Sequence, residues 1–168
     1  MGSGGGSGAS GRTYSMVVGV DFSETGDYAL WEAFELARQH SGAAIHAVYV
    51  AEGYGPLLEL RLDHSTTALS AREVERYLCE YVDQRRLSQP EPVDGSRTHC
   101  HVRVGDPDDE IVELAKELQA DLLVVGTHAR HGVRRFFVES IAEEVVKRCP
   151  CPVLVVRPKA YHQASKEH

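Results

Sequence analysis

The chain has 168 residues, a formal net charge of -7 and 42% hydrophobic residues, enough for one domain with a sizeable core. No Lys/Arg-rich run offsets the acidity, which argues against a general nucleic-acid binder, and four cysteines in a chain of this length do not make a disulfide framework. No apolar stretch approaches the roughly 20 residues of a membrane span, and the start lacks the pattern of a secretion signal, so a cytoplasmic protein without nucleic-acid or membrane partners is expected.

In chain order, residues 1–13 are Gly/Ser-rich and read as a flexible tail. Residues 14–20 form a first strand ending in Asp21-Phe22-Ser23. Ser23 is placed as the N-cap of a helix whose apolar positions Leu30, Ala33, Phe34 and Ala37 fit helical spacing. Gly26 stands where a capping box would need Glu. Residues 44–50 are a second strand, in which His46 reads as a satisfied or edge histidine rather than a ligand. Residues 52–65, with Gly53, Gly55 and Pro56, read as a loop, and 66–87 as a helix with Val74, Tyr77, Leu78, Tyr81 and Val82 on its buried stripe.

Residues 98–104 are a third strand, with His99 and His101 on one side and Cys100 on the other. No third and fourth ligand follows at zinc-like spacing, so no metal site is expected. Asp106 is placed as an N-cap and Pro107 at the first helical position; Asp108, Asp109 and Glu110 follow in the first turn, and Ile111, Leu114, Ala115 and Leu118 form the core face.

Residues 122–125 are a fourth, apolar strand, ended by Gly126. A loop over 127–139 carries His128, Arg130, His131, Arg134 and Arg135, and Ser140 opens a helix with Ala142, Val145, Val146 and Cys149 on one face. Pro150 and Pro152 stop that helix, residues 153–156 are a fifth strand, and 159–168 are a polar tail. A basic loop leading to a helix N-terminus is suited to anions, because the first N–H groups lack partners and the dipole is positive there. Cys149 and Cys151 do not have thioredoxin spacing, and Cys149 lies on the apolar helix face, so both read as buried structural thiols.

The β-α alternation predicts a single-domain α/β fold of the Rossmann-like, flavodoxin-like kind. It is a five-stranded parallel sheet with helices on both faces and strand order 3-2-1-4-5. Ligands of such sheets bind beyond the strand carboxyl ends where the order reverses. There Asp21 could accept from ribose hydroxyls, with the loop after Gly126 facing phosphate. The bottom-up expectation is a nucleotide crevice.

Three segments, VVGVDFSE, VRVGDPDDEIVELAKELQADLLVVGTHAR and CPCPVLVVRP, resemble the universal stress proteins, with residues 14–158 as the family's domain. The resemblance implies a homodimer paired through the last strand, Val153, Leu154, Val155 and Val156. It also implies a nucleotide site formed by Asp21, Val50, Gly126, His128, Arg130, Gly132 and Ser140. ATP-binding members carry Gly, two residues, Gly, nine residues, Gly, then Ser or Thr. Here Ala129 and Glu139 replace the second and third glycines. The expectation is therefore a stress-response homodimer acting through contacts with another, unidentified protein. Its crevice is degenerate, with no cofactor, and it is not an enzyme. The alternative is an ATP- or AMP-binding signalling protein with weak ATPase activity. The Ser-Gly-Gly-x-Asp-Ser loop of ATP pyrophosphatases is not matched by Asp21-Phe22-Ser23-Glu24, and no Ser-His-Asp or Cys-His arrangement stands out.

Overall fold

The computed structural model describes residues 12–51, 57–62, 65–127 and 138–157, with backbone alone for 57–62, 65–66 and 138–141. The elements are β1 (Ser15–Gly19), α1 (Glu24–Gln39), β2 (Ala44–Ala51), β3 (Leu57–Leu62), β4 (Ser65–Ser70), α2 (Ala71–Leu87), β5 (Thr98–Val104), α3 (Pro107–Glu117), β6 (Leu122–Gly126), α4 (Val138–Arg148) and β7 (Val153–Val156). Five strands pair in parallel in the order β5-β2-β1-β6-β7, the expected arrangement. Among the described residues no helix is long and apolar enough to cross a membrane.

Strand alternation divides the core. Met16 and Val18 of β1 face one layer with Leu30, Ala33 and Phe34 of α1 and Val74, Leu78 and Val82 of α2. Val17 faces the other, with Val112, Leu114 and Ala115 of α3, Leu123 of β6 and Val145 of α4. β1 is buried on both sides at its three central residues, as a central parallel strand must be. Polar contacts also tie α1 to α2 within the first layer. Asp27 of α1 accepts hydrogen bonds from the Tyr81 hydroxyl at 2.6 Å and from Arg85 Nε at 2.8 Å, both on α2. The Arg85 guanidinium lies 3.4 Å from the Tyr81 ring centroid. Burial first, and the Asp27 carboxylate second, push the Tyr81 phenol up from its ordinary value.

The segment between β2 and α2 differs from expectation. Residues 57–62 and 65–70 pair as an antiparallel hairpin, β3–β4, where a loop and then the first turn of a helix were expected. α2 begins only at Ala71, because Ser70 and Glu73 form a reciprocal capping box. The Ser70 side chain accepts from the Glu73 N–H, and the Ser70 N–H donates to Glu73 Oε2 at 2.9 Å. This capping box was present in the sequence as Ser70-x-x-Glu73, and the Thr66-Thr67 pair before it favours an extended chain. α4 likewise starts at Val138, so Ser140 lies inside its first turn rather than opening it. Ser23 caps α1 as expected, whereas Asp106 precedes α3 without a side-chain capping bond.

His46 of β2 meets His101 of β5 through Nδ1 and Nε2 at 3.0 Å and stacks on His99 at a centroid distance of 4.8 Å. The histidine is satisfied by neighbours, as read from the sequence. Among the described residues no three ligating side chains are grouped to hold a metal. Burial, with His101 and His99 beside it, lowers the His46 pKa to about 4, and burial also lowers that of His101.

A base whose folded pKa is depressed contributes stability above its unfolded value and loses it as pH falls toward the folded value. The urea midpoint is therefore expected to fall between about pH 6.5 and pH 4, the unfolded and folded values for His46. His46→Gln should flatten that dependence; identical slopes for the two proteins would show that the histidine pair is not its source.

Candidate functional site

The sheet order changes direction between β1 and β6, and the carboxyl ends of these strands open a cavity of about 130 Å³. Gly19, Val20 and Asp21 line it from β1 and the residues that follow. Val48, Tyr49 and Val50 contribute from β2, Pro107 and Ile111 from α3, Val125 and Gly126 from β6, and Ala142 from α4. The wall is largely apolar, with one carboxylate at its rim. Another cavity, of about 230 Å³, lies near Arg38, Gly42, Val93 and Arg97. Gly42 and Thr98 place it at the amino ends of β2 and β5, away from the strand ends where parallel sheets bind ligands.

Asp21 is locked by the turn it begins. Its Oδ1 accepts from the Ser23 N–H at 3.0 Å and from the Ser23 hydroxyl at 2.5 Å. The Ser23 oxygen accepts in turn from the Gly26 N–H at 3.1 Å, and Thr25 Oγ1 lies 2.9 Å away. Since the Ser23 proton goes to Asp21, the Thr25 hydroxyl is the donor of that last pair. One serine thus caps α1 and fixes the carboxylate.

Between them, Phe22 takes φ 57°, a left-handed conformation that costs a bulky residue energy. The surroundings hold it there. Phe22 is 5% exposed, and its ring centroid lies 4.8 Å from Tyr49, 4.8 Å from Tyr81 and 5.2 Å from Tyr77. Backbone strain next to a cavity, held by aromatic packing, is a common mark of a functional turn.

Two glycines let α1 come this close. A Cβ on Gly26 would lie 2.5 Å from Asp21 Oδ1, and one on Gly126 would lie 2.8 Å from the Thr25 carbonyl oxygen. Gly126 was read from sequence as the start of an anion-binding loop. The structure gives it a second role, admitting the first turn of α1 against the end of β6.

Of the site residues expected from sequence, Asp21, Val50 and Gly126 meet at this cavity. Ser140 lies in the first turn of α4. His128, Arg130 and Gly132, with Ala129, fall outside the described residues, as do the side chains of Glu139 and Ser140. Val48, Tyr49, Pro107, Ile111 and Ala142 were read only as strand or helix residues. They become wall residues because their elements converge at the switch point, which no local pattern announces.

Residues 14–157 match the profile of the Universal stress protein family. Universal stress protein G of Escherichia coli O157:H7 is 33% identical over 148 residues, covering 87% of this chain and 99% of that protein. A universal stress protein solved in complex with cAMP superposes with a TM-score of 0.62 at 23% identity, covering 86% of this chain and 97% of that one. A universal stress protein family protein from Arabidopsis thaliana with AMP bound gives 0.54 at 19% identity, covering 92% and 98%.

Gly126→Ala is expected to destabilise the protein by about 1–3 kcal/mol, the usual cost of overpacking against a neighbour that cannot retreat. Urea unfolding measures it. A cost within error of zero would mean that the first turn of α1 shifts freely away from β6.

Proposed function

The chain belongs to the universal stress protein family, and on that premise we propose that the crevice between β1 and β6 binds an adenine nucleoside monophosphate. The observation that carries this reading is a mostly apolar cavity with a fixed carboxylate at its rim, at the point where the sheet reverses direction. A purine fits against Val48, Val50 and Ile111. Asp21, held by Ser23, accepts from a ribose hydroxyl, and the phosphate lies toward the N-terminal end of α4, where unpaired N–H groups favour an anion. The cAMP and AMP complexes of related universal stress proteins support the ligand class.

Charge favours one phosphate over three. Ala129 and Glu139 stand where ATP-binding members have glycines. A methyl hinders close approach of backbone to phosphate. A carboxylate about 4 Å from a phosphate charge costs about 4 kcal/mol at an effective dielectric near 20. The degenerate glycine pattern is thus a filter against ATP rather than the loss of all nucleotide binding.

The protein acts by binding and not by turnover: a homodimer joined through Val153, Leu154, Val155 and Val156, which passes a stress signal to another protein. What supports the dimer is the position of β7 at the sheet edge, paired with β6, with Val155 still 37% exposed. An apolar edge strand is a liability unless paired or covered.

Titration calorimetry tests the ligand. AMP should bind at micromolar concentration and ATP with magnesium about tenfold more weakly, with Asp21→Ala losing about tenfold for AMP, or 1.4 kcal/mol. Tighter binding of ATP than of AMP, or no AMP binding up to millimolar concentration, would overturn the reading. For the dimer, sedimentation should give two copies per particle, and Val155→Lys should give one; a monomeric parent would refute pairing through β7.

A further inference from the structure

The connection from α4 to β7 carries a feature that the nucleotide reading does not use. The Cys149 N–H donates to the Val145 carbonyl at 2.9 Å as the last bond of the helix, and Cys151 follows after Pro150. The two sulfur atoms lie 3.4 Å apart. Both side chains are half-buried, not fully buried as their sequence suggested, and pack against the α3/α4 core layer. Pro150 and Pro152 fix φ on either side of Cys151, and the Pro152 carbonyl is held by the Leu123 N–H at 3.0 Å. The sulfurs are therefore held as neighbours by the backbone.

We propose that Cys149 and Cys151 form a reversible oxidation site, passing from dithiol to intramolecular disulfide on reaction with hydrogen peroxide. The Cys149 thiolate attacks one peroxide oxygen; the O–O bond breaks, and the leaving hydroxide takes a proton and departs as water. Cys149 is left as a sulfenic acid. The Cys151 sulfur then attacks the Cys149 sulfur, the S–O bond breaks, an S–S bond forms, and the Cys151 proton leaves with the oxygen as a second water. Two thiols lose two electrons and two protons, and one peroxide becomes two waters. A dithiol reductant returns both electrons and both protons by exchange.

The assignment of roles follows from the surroundings. Burial, together with the neighbouring Cys149 sulfur, pushes the Cys151 thiol up to about 12. Cys151 thus keeps its proton and serves as the resolving thiol, and the first attack falls to the other sulfur of the pair, Cys149. Disulfide formation needs the sulfurs to close from 3.4 Å to roughly 2.0 Å, a movement taken up where α4 hands over to the edge strand. The other two cysteines provide an internal standard. Cys79 of α2 is exposed, and burial followed by Cys79 pushes the Cys100 thiol up.

The full chain is treated with hydrogen peroxide, blocked with iodoacetamide, digested with trypsin and read by mass spectrometry. The fragment beginning at Cys149 contains both sulfurs, because no Lys or Arg lies between Cys149 and Cys151. It should appear two hydrogens lighter and unblocked, at a rate about tenfold above oxidation of Cys79. Dithiothreitol should restore blocking. Cys151→Ser should instead trap Cys149 as a sulfenic acid that reacts with dimedone. Oxidation of Cys149 no faster than Cys79, a cross-link between Cys79 and Cys100 alone, or no dimedone adduct in Cys151→Ser would each overturn the proposal. None of these readings depends on whether the crevice binds nucleotide.

Discussion

The close approach of the first turn of α1 to the end of β6 is the constraint on which the crevice depends. Thr25 touches Gly126 so closely that a single Cβ there would fall 2.8 Å from a carbonyl oxygen. On the other side of the same turn, Gly26 leaves room for the Asp21 carboxylate. Ser23 joins the two, accepting from the helix and donating to Asp21. Strand, turn and helix are thereby fixed relative to one another, and the carboxylate at the cavity rim has few ways to move. A site whose carboxylate is held before ligand arrives loses less entropy on binding.

Most of the architecture could be read from the sequence, and the reason is physical. Parallel strands buried on both faces appear as apolar runs, and the helices between them show a 3.6-residue stripe. The central β1 and β6 and the cap at Ser23 follow directly from such patterns. The β3–β4 hairpin was missed although Leu58, Leu60 and Leu62 alternate with Glu59 and Arg61 as in a strand, because Gly53, Gly55 and Pro56 marked the segment as a loop. The Ser70–Glu73 capping box was readable and would have placed the start of α2 correctly. The site was legible only where a single residue carries the signal, as with Asp21 and Gly126. Val48, Tyr49 and Ile111 become part of it through topology, and the Phe22 turn through tertiary packing that overrides the preference of an aromatic residue for extended backbone.

The two edges of the sheet differ in chemistry. β5 presents His99 and His101 beside His46, with Arg103 paired to Glu117 of α3. Such polar, charge-bearing edges discourage further strand pairing. β7 is short and apolar, and it begins directly after the Cys149–Pro150–Cys151 segment. Among the described residues, the sheet thus has one polar border and one apolar border.

The left-handed turn at Phe22 has a consequence for how this part of the molecule tolerates change. Its φ of 57° costs about 1–3 kcal/mol in a non-glycine residue, while burying an aromatic ring contributes about 1.5–3 kcal/mol. The two quantities nearly cancel. Glycine would relax the backbone but leave a hole among Tyr49, Tyr77 and Tyr81, and a smaller or branched side chain would keep the strain without filling that hole. Position 22 is therefore a narrow gate for drift, with room for few residue types, although its side chain carries no charge and is not among the residues lining the crevice.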